Sequence, residues 1–105
     1  MPIAPNMFVH QTEIAAAVEL AEQELAPDVV RIRFNLGEDW SGDPAVFFRV
    51  VLSDDASRMG RLREMGRRVQ RVLAERARPE ELGLLAYFNY RNVSEQAEMK
   101  EPSWE

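Results

Sequence analysis

Two stretches of strict polar–apolar alternation, joined by a run of turn formers, constrain this chain more tightly than anything else in it. From Val29 to Leu36, the apolar Val30, Ile32, Phe34 and Leu36 fall on one side, while Arg31, Arg33 and Asn35 fall on the other. From Ala45 to Leu52, Val46, Phe48, Val50 and Leu52 share one face, and Phe47, Arg49 and Val51 share the opposite one. Successive strand residues point to opposite faces, so a period of two over this length predicts strands with one buried face. The intervening "GEDWSGDP" (residues 37–44) is built from residues that favour turns. The pair therefore predicts an antiparallel hairpin. Such a hairpin is at best marginally stable alone in water, so its apolar face needs a cover.

Two helical patterns are available to supply it. Thr12 can accept a hydrogen bond from a free backbone N–H and so cap a helix over Glu13 to Leu25. Ile14, Ala17, Val18, Ala21 and Leu25 recur at helical spacing and form its buried stripe, and Pro27 stops it. A second helix is expected from about Ser57 to Arg76, capped by Asp55 or Ser57, with Pro79 at its end. Beyond it, "LLAYFNYR" (residues 84–91) predicts a third strand, and the remainder is polar and acidic up to Trp104. The expected fold class is α+β: a two-layer sandwich of order α-β-β-α-β, with an antiparallel hairpin plus an edge strand packed against two helices. Its 105 residues suffice for one domain. The expected division is an irregular arm over residues 1–11, the domain over 12–93 and an acidic tail over 94–105.

The charge is unevenly spread. The net charge is −5, yet Arg58 to Arg78 holds eight arginines against only Glu64 and Glu75. On a wheel of about 100° per residue, Met59, Leu62, Met65, Gly66, Val69, Val72 and Leu73 fill one arc of the second helix. Arg61, Arg63, Arg67, Arg68, Arg71 and Arg78 fill the opposite arc. Packing thus fixes one flank and leaves the other basic. Charged faces are common on exposed helices, but Arg67 and Arg71 are four apart and repel each other, so an external anion is expected to offset them. Arg61, Arg63, Arg67, Arg68 and Arg71 are therefore candidate residues for a protein partner or, as the alternative, nucleic acid. Trp40 in the polar loop and Trp104 in the tail join them as candidates, because exposed tryptophans suit interfaces. Trp40 folding back as a lid on the hairpin is the competing reading.

Other chemistry finds little support. The chain has no cysteine, which excludes disulfides and thiol catalysis and suits a reducing cytoplasm. Its one histidine, His10, lacks the companions that a zinc site or a nucleophilic triad needs. Glu38, Asp39 and Asp43, and also Asp54 and Asp55, could be imagined around Mg²⁺, but turns and helix caps use Asp for local hydrogen bonds. No phosphate-binding glycine loop is present, so no cofactor is expected. The element order resembles a bacterial-type KH domain, but Gly60 and Gly66 are too far apart to form its GXXG loop. No apolar run is long enough to span a membrane, and the expected location is cytoplasmic. A homodimer by sheet-edge pairing or helix packing is compatible with the pattern, though no residue decides it.

The strings "GEDWSGDPAVFFRVVLSDDAS" and "YFNYRNVSEQAEMKEPSWE" resemble small bacterial α+β proteins encoded beside HEPN-type, toxin-like genes. The similarity runs from about Val29 to the end. It implies a non-enzymatic interaction module, antitoxin-like or regulatory toward a second protein. No catalytic residue is carried over with it.

Overall fold

The computed structural model describes residues 9–105. Helix α1 spans Gln11–Leu25, strands β1 and β2 span Val29–Glu38 and Pro44–Leu52, and helix α2 spans Leu62–Ala77. A 3₁₀ turn at Pro79–Leu82 leads to β3 (Leu85–Asn92), helix α3 (Val93–Met99) and a second 3₁₀ turn at Pro102–Trp104. Among the described residues the strands form one mixed sheet in the order β1-β2-β3, so the chain has an α+β fold. β1 and β2 pair antiparallel, with Phe34 opposite Phe48. β3 pairs parallel to β2, with Phe48 opposite Phe88. A parallel neighbour is what a helical crossover delivers, and α2 is that crossover.

Both long helices cover one face of the sheet. Ile14, Ala17, Val18, Ala21 and Leu25 of α1 are buried, the stripe that the helical spacing predicts. Met65, Val69, Val72 and Leu73 of α2 meet Val46, Phe48, Val50 and Leu52 of β2 in the same core. The rings of Phe48 and Phe88 stack 5.3 Å apart on this inner face.

The structure departs from the expected pattern in four places. The β1–β2 register shifts between Val29 and Arg31, so Val29 enters the core and Val30 is left 47% exposed. A bulge adds one residue to one strand, which flips the sides of those before it. Helix α2 starts at Leu62 instead of near Ser57, because Gly60 adopts φ 97° and breaks the helical path. Asp55 and Ser57 do not cap it; its first residue follows Arg61, which offers no side-chain cap. Met59, expected on the buried arc, is consequently fully exposed, and Leu62 is exposed as well. Similarly, α1 begins two residues early, behind His10, and Thr12 does not cap it. Finally, the segment expected as a polar tail is folded. Asn92 accepts from Glu95 N while the Glu95 carboxylate accepts from Asn92 N, a reciprocal capping box that starts α3. Of the expected N-terminal arm, residues 1–8 lie outside the described residues, and Gln11 already belongs to α1.

Candidate functional site

The arginines of the α2 segment divide into two groups. Arg61 and Arg68 both reach the Asp28 carboxylate, each at 3.4 Å, and Arg61 also meets Asp55 at 2.6 Å. Asp28 sits at the start of β1, so these two cations tie α2 to the α1–β1 corner. Arg76 reaches Glu24 on α1 at 2.9 Å, Arg58 reaches Asp55 at 3.1 Å and Arg78 reaches Glu81 at 3.5 Å. Of the expected partner-binding residues, Arg61 and Arg68 therefore act inside the molecule. Among the described residues no carboxylate lies within 4 Å of Arg63, Arg67 or Arg71, and all three side chains are exposed.

Two of them, Arg63 and Arg67, lie on the helix stripe that walls a groove. β3 is an outer strand of the sheet, with one row of main-chain N–H and C=O groups facing away from β2. Between β3 and α2 runs a cleft of about 480 Å³, walled by Gln70, Ala74 and Arg78 and floored by Leu84, Ala86 and Phe88. Spacings of four, three and four put Arg63, Arg67, Gln70 and Ala74 on one stripe of α2, so two free arginines continue the groove wall. Gln70 donates to Tyr90 Oη at 3.3 Å, and that hydroxyl donates to the Gly66 carbonyl at 3.3 Å, which fixes the helix over β3. Burial pushes the Tyr90 pKa up.

The opposite face of the sheet carries Arg31, Arg33, Arg49 and Arg91, and it is covered. The Pro102–Trp104 turn lies across it as a strap. Trp104, expected to be exposed for a partner, is only 6% exposed, with the Arg91 guanidinium 4.3 Å from its ring centre. A cation over an aromatic face is attracted by the ring's quadrupole. Arg49, Arg31 and Arg33 donate to the main-chain oxygens of Ser103, Trp104 and Glu105. The Arg49 pKa is lowered by desolvation and by the neighbouring Arg33 charge. Trp40 behaves differently: it remains 83% exposed, touching Tyr87 at 5.2 Å between ring centres. It is an exposed aromatic knob, not a lid. Tyr87 in turn stacks on Phe47 at 5.4 Å.

The acidic loops are engaged in turn chemistry. Asp39 accepts from Ser41 N, Asp43 N and the Tyr87 hydroxyl, the last at 2.7 Å. The Tyr87 bond holds the Asp39 carboxyl below its ordinary value and raises the Tyr87 hydroxyl. Asp54 accepts from both the amide and the hydroxyl of Ser94, which lowers its pKa and pins α3 to the β2–α2 loop. Among the described residues no three His, Asp or Glu side chains converge as metal ligands. No described helix is long and apolar enough to cross a membrane.

No protein-family profile, characterised protein or solved structure matches the chain. The site therefore rests on its own geometry. The sequence signals for Arg63, Arg67 and Arg71 pointed to side chains that are exposed on α2. The open edge of β3 and the four arginines beneath the strap carried no local signal, because they come together only through the sheet.

Proposed function

We propose that this protein is a non-enzymatic interaction module that holds an extended, acidic segment of a second protein along β3 and α2. The observation that carries this is the adjacency, among the described residues, of an unpaired strand edge, an apolar groove and two arginines, Arg63 and Arg67, with no carboxylate within 4 Å. An extended segment can add a strand to an open edge, main-chain bonds giving affinity and alternate side chains entering a groove to give selectivity. Here every second side chain of the guest would enter the cleft between Ala74 and Phe88. Acidic residues would meet Arg63 and Arg67 on its rim. Masking a second protein's working surface in this way is an antitoxin-like or regulatory role. The resemblance to proteins encoded beside toxin-like genes leads to the same expectation.

Nucleic acid is the second reading, favoured by the same unpaired arginines. Against it stand Glu64 and Glu75, which flank the stripe on α2, Glu80 and Glu81 at the groove's end, and a net charge of −5. Phosphate binding draws on the summed field of a surface, and this surface is mixed in sign. The test is co-purification of the native protein, identification of what accompanies it, and repetition with Arg63→Glu, Arg67→Glu and Arg71→Glu combined, and separately with Ala74→Arg. Loss of a protein companion in both variants, with unchanged melting, is the expected result. A complex indifferent to both refutes the groove. Release of nucleic acid that steepens with salt supports the second reading instead.

A further inference from the structure

The outer face of the sheet already holds a peptide. Ser103, Trp104 and Glu105 lie across it in sequence, and each presents a main-chain oxygen to a guanidinium Nε, from Arg49 at 2.7 Å, Arg31 at 2.8 Å and Arg33 at 2.6 Å. The Trp104 ring lies against Arg91, and Glu101 pairs with the same guanidinium. Gln96, buried, donates to the Glu101 carbonyl at 2.8 Å and to the Glu105 carboxylate at 2.5 Å. This is recognition in two parts. Three cations read a run of main-chain oxygens that the Pro102–Trp104 turn presents together. Arg91 and Gln96 read what flanks it, one aromatic ring and two carboxylates.

The strap is also separable from the rest of the fold. Trp104 is buried, yet it is not part of the cluster that α1, α2 and the inner sheet face build. The side chains of Glu101, Pro102, Ser103 and Glu105 stay exposed. Lys100 turns the chain sharply at φ 54°, which divides α3 from the strap. Lifted away, the strap would leave Arg31, Arg49 and Arg91 on one sheet surface with no described carboxylate within 4 Å, beside Arg33, which keeps Glu22 at 3.6 Å. Mutual repulsion among these cations then makes an anionic occupant the favoured cover.

We propose that the outer sheet face is a second binding site, specific for a short acidic segment that bears one tryptophan and coils as the Pro102–Trp104 turn does, and that Glu101–Glu105 is its resident competitor. A partner's segment of that chemistry enters when it displaces the strap. A tethered competitor acts at an effective concentration of order millimolar, so the intact chain binds such a segment weakly and selectively. The site is independent of the β3 groove, on the other side of the sheet.

The experiment uses the full chain and a fluorescein-labelled peptide of sequence KEPSWE. Fluorescence anisotropy is compared for the unmodified protein, Trp104→Ala, and Trp104→Ala with Arg49→Ala. Removing the anchoring ring vacates the site, so Trp104→Ala is expected to bind the peptide roughly tenfold or more tighter than the unmodified protein, by removal of the tethered competitor. Adding Arg49→Ala should abolish the gain. A folded Trp104→Ala chain that ignores the peptide overturns the proposal. So does one that binds a single-stranded oligonucleotide of mixed sequence in the peptide's place. If Trp104→Ala does not fold, the unmodified protein carrying 5-fluorotryptophan is titrated with unlabelled peptide and followed by ¹⁹F NMR. Saturable movement of the Trp104 resonance toward its free-peptide position, with the site otherwise intact, supports displacement. A Trp104 resonance that stays in place in excess peptide overturns it.

Discussion

Trp104→Ala has a magnitude that can be worked out from the strap's own contacts. A buried tryptophan removes about 150–250 Å² from water, and at ~25 cal/mol per Å² this contributes about 4–6 kcal/mol. Contact with the Arg91 guanidinium adds about 1 kcal/mol in a half-exposed setting. The loss is not the sum, because the strap need not stay in place once its anchor is gone. Releasing the five residues 101–105 returns backbone freedom of about 1–2 kcal/mol each, which matches or exceeds the lost burial. It also gives up the hydrogen bonds from Arg31, Arg33 and Arg49, each a net of about 1 kcal/mol, although the freed guanidiniums regain water. The balance is a destabilisation of about 2 kcal/mol, or a fall in melting temperature of roughly 8–16 °C for a domain of this size. Thermal unfolding followed by circular dichroism reads this directly, and Trp40 fluorescence monitors the remaining native state. An unchanged melting temperature would show that the ring carries no burial energy and that the strap is not docked. Complete unfolding, or a loss above about 5 kcal/mol, would place Trp104 in the main core and refute the separable strap.

Other outcomes follow from the same contacts. Asp28→Asn removes the carboxylate shared by Arg61 and Arg68 and should destabilise by about 1 kcal/mol, a loss that shrinks in 1 M salt because the pairs are partly exposed; an Arg68→Gln double-mutant cycle with no coupling would refute the pairing. Asp39 and Asp54 both have folded pKa values below the ordinary 3.8, so their contribution is present above pH 4 and is lost as acid protonates them. Melting curves from pH 7 to 3 should therefore fall more steeply for the unmodified chain than for Asp39→Asn or Asp54→Asn, and parallel curves would contradict the assignment. Gly60→Ala forces a side chain to φ 97° in open space, so only backbone strain opposes it, and a destabilisation of about 1 kcal/mol is expected by urea unfolding. Met59→Ser should leave stability within about 0.5 kcal/mol, since that side chain is fully exposed; a larger loss would return it to the buried arc.

Periodicity reports burial only where the backbone is regular, and this explains which parts of the fold were legible. The α1 stripe from Ile14 to Leu25 and the inner face of β2 are uninterrupted repeats, and both appear as spaced. The bulge at Val29/Arg31 depends on how many residues the partner strand supplies, which no local window contains. Ser53, Asp54 and Asp55 are good capping residues, but here Ser53 bonds Ala56 N, Asp54 bonds Ser94, and Asp55 binds arginines. Composition alone cannot say which donor such a side chain will find. The Asn92–Glu95 capping box was readable as a helix start, and the acidity around it masked the signal. The strap was not readable: a polar segment ending in one tryptophan looks unfolded until four arginines from three strands are brought beneath it.

The distribution of arginine then decides between the surfaces. Arg58, Arg61, Arg68, Arg76 and Arg78 each lie within 4 Å of a carboxylate, so most of the basic segment neutralises the chain's own acids. Arg31, Arg33 and Arg49 each give their Nε–H to the strap's main chain, Arg33 also reaches Glu22 at 3.6 Å, and Arg91 meets the strap's ring and Glu101. Among the described residues the arginines left without a carboxylate or strap contact are Arg63, Arg67 and Arg71, and the first two continue the helix stripe that walls the β3 groove. Paired charges lose much of what they could give a guest, because their partners must first be displaced; unpaired ones lose only water. A first partner is therefore expected on the β3 side, where nothing has to move. The opposite face binds only what can outcompete a tethered strap.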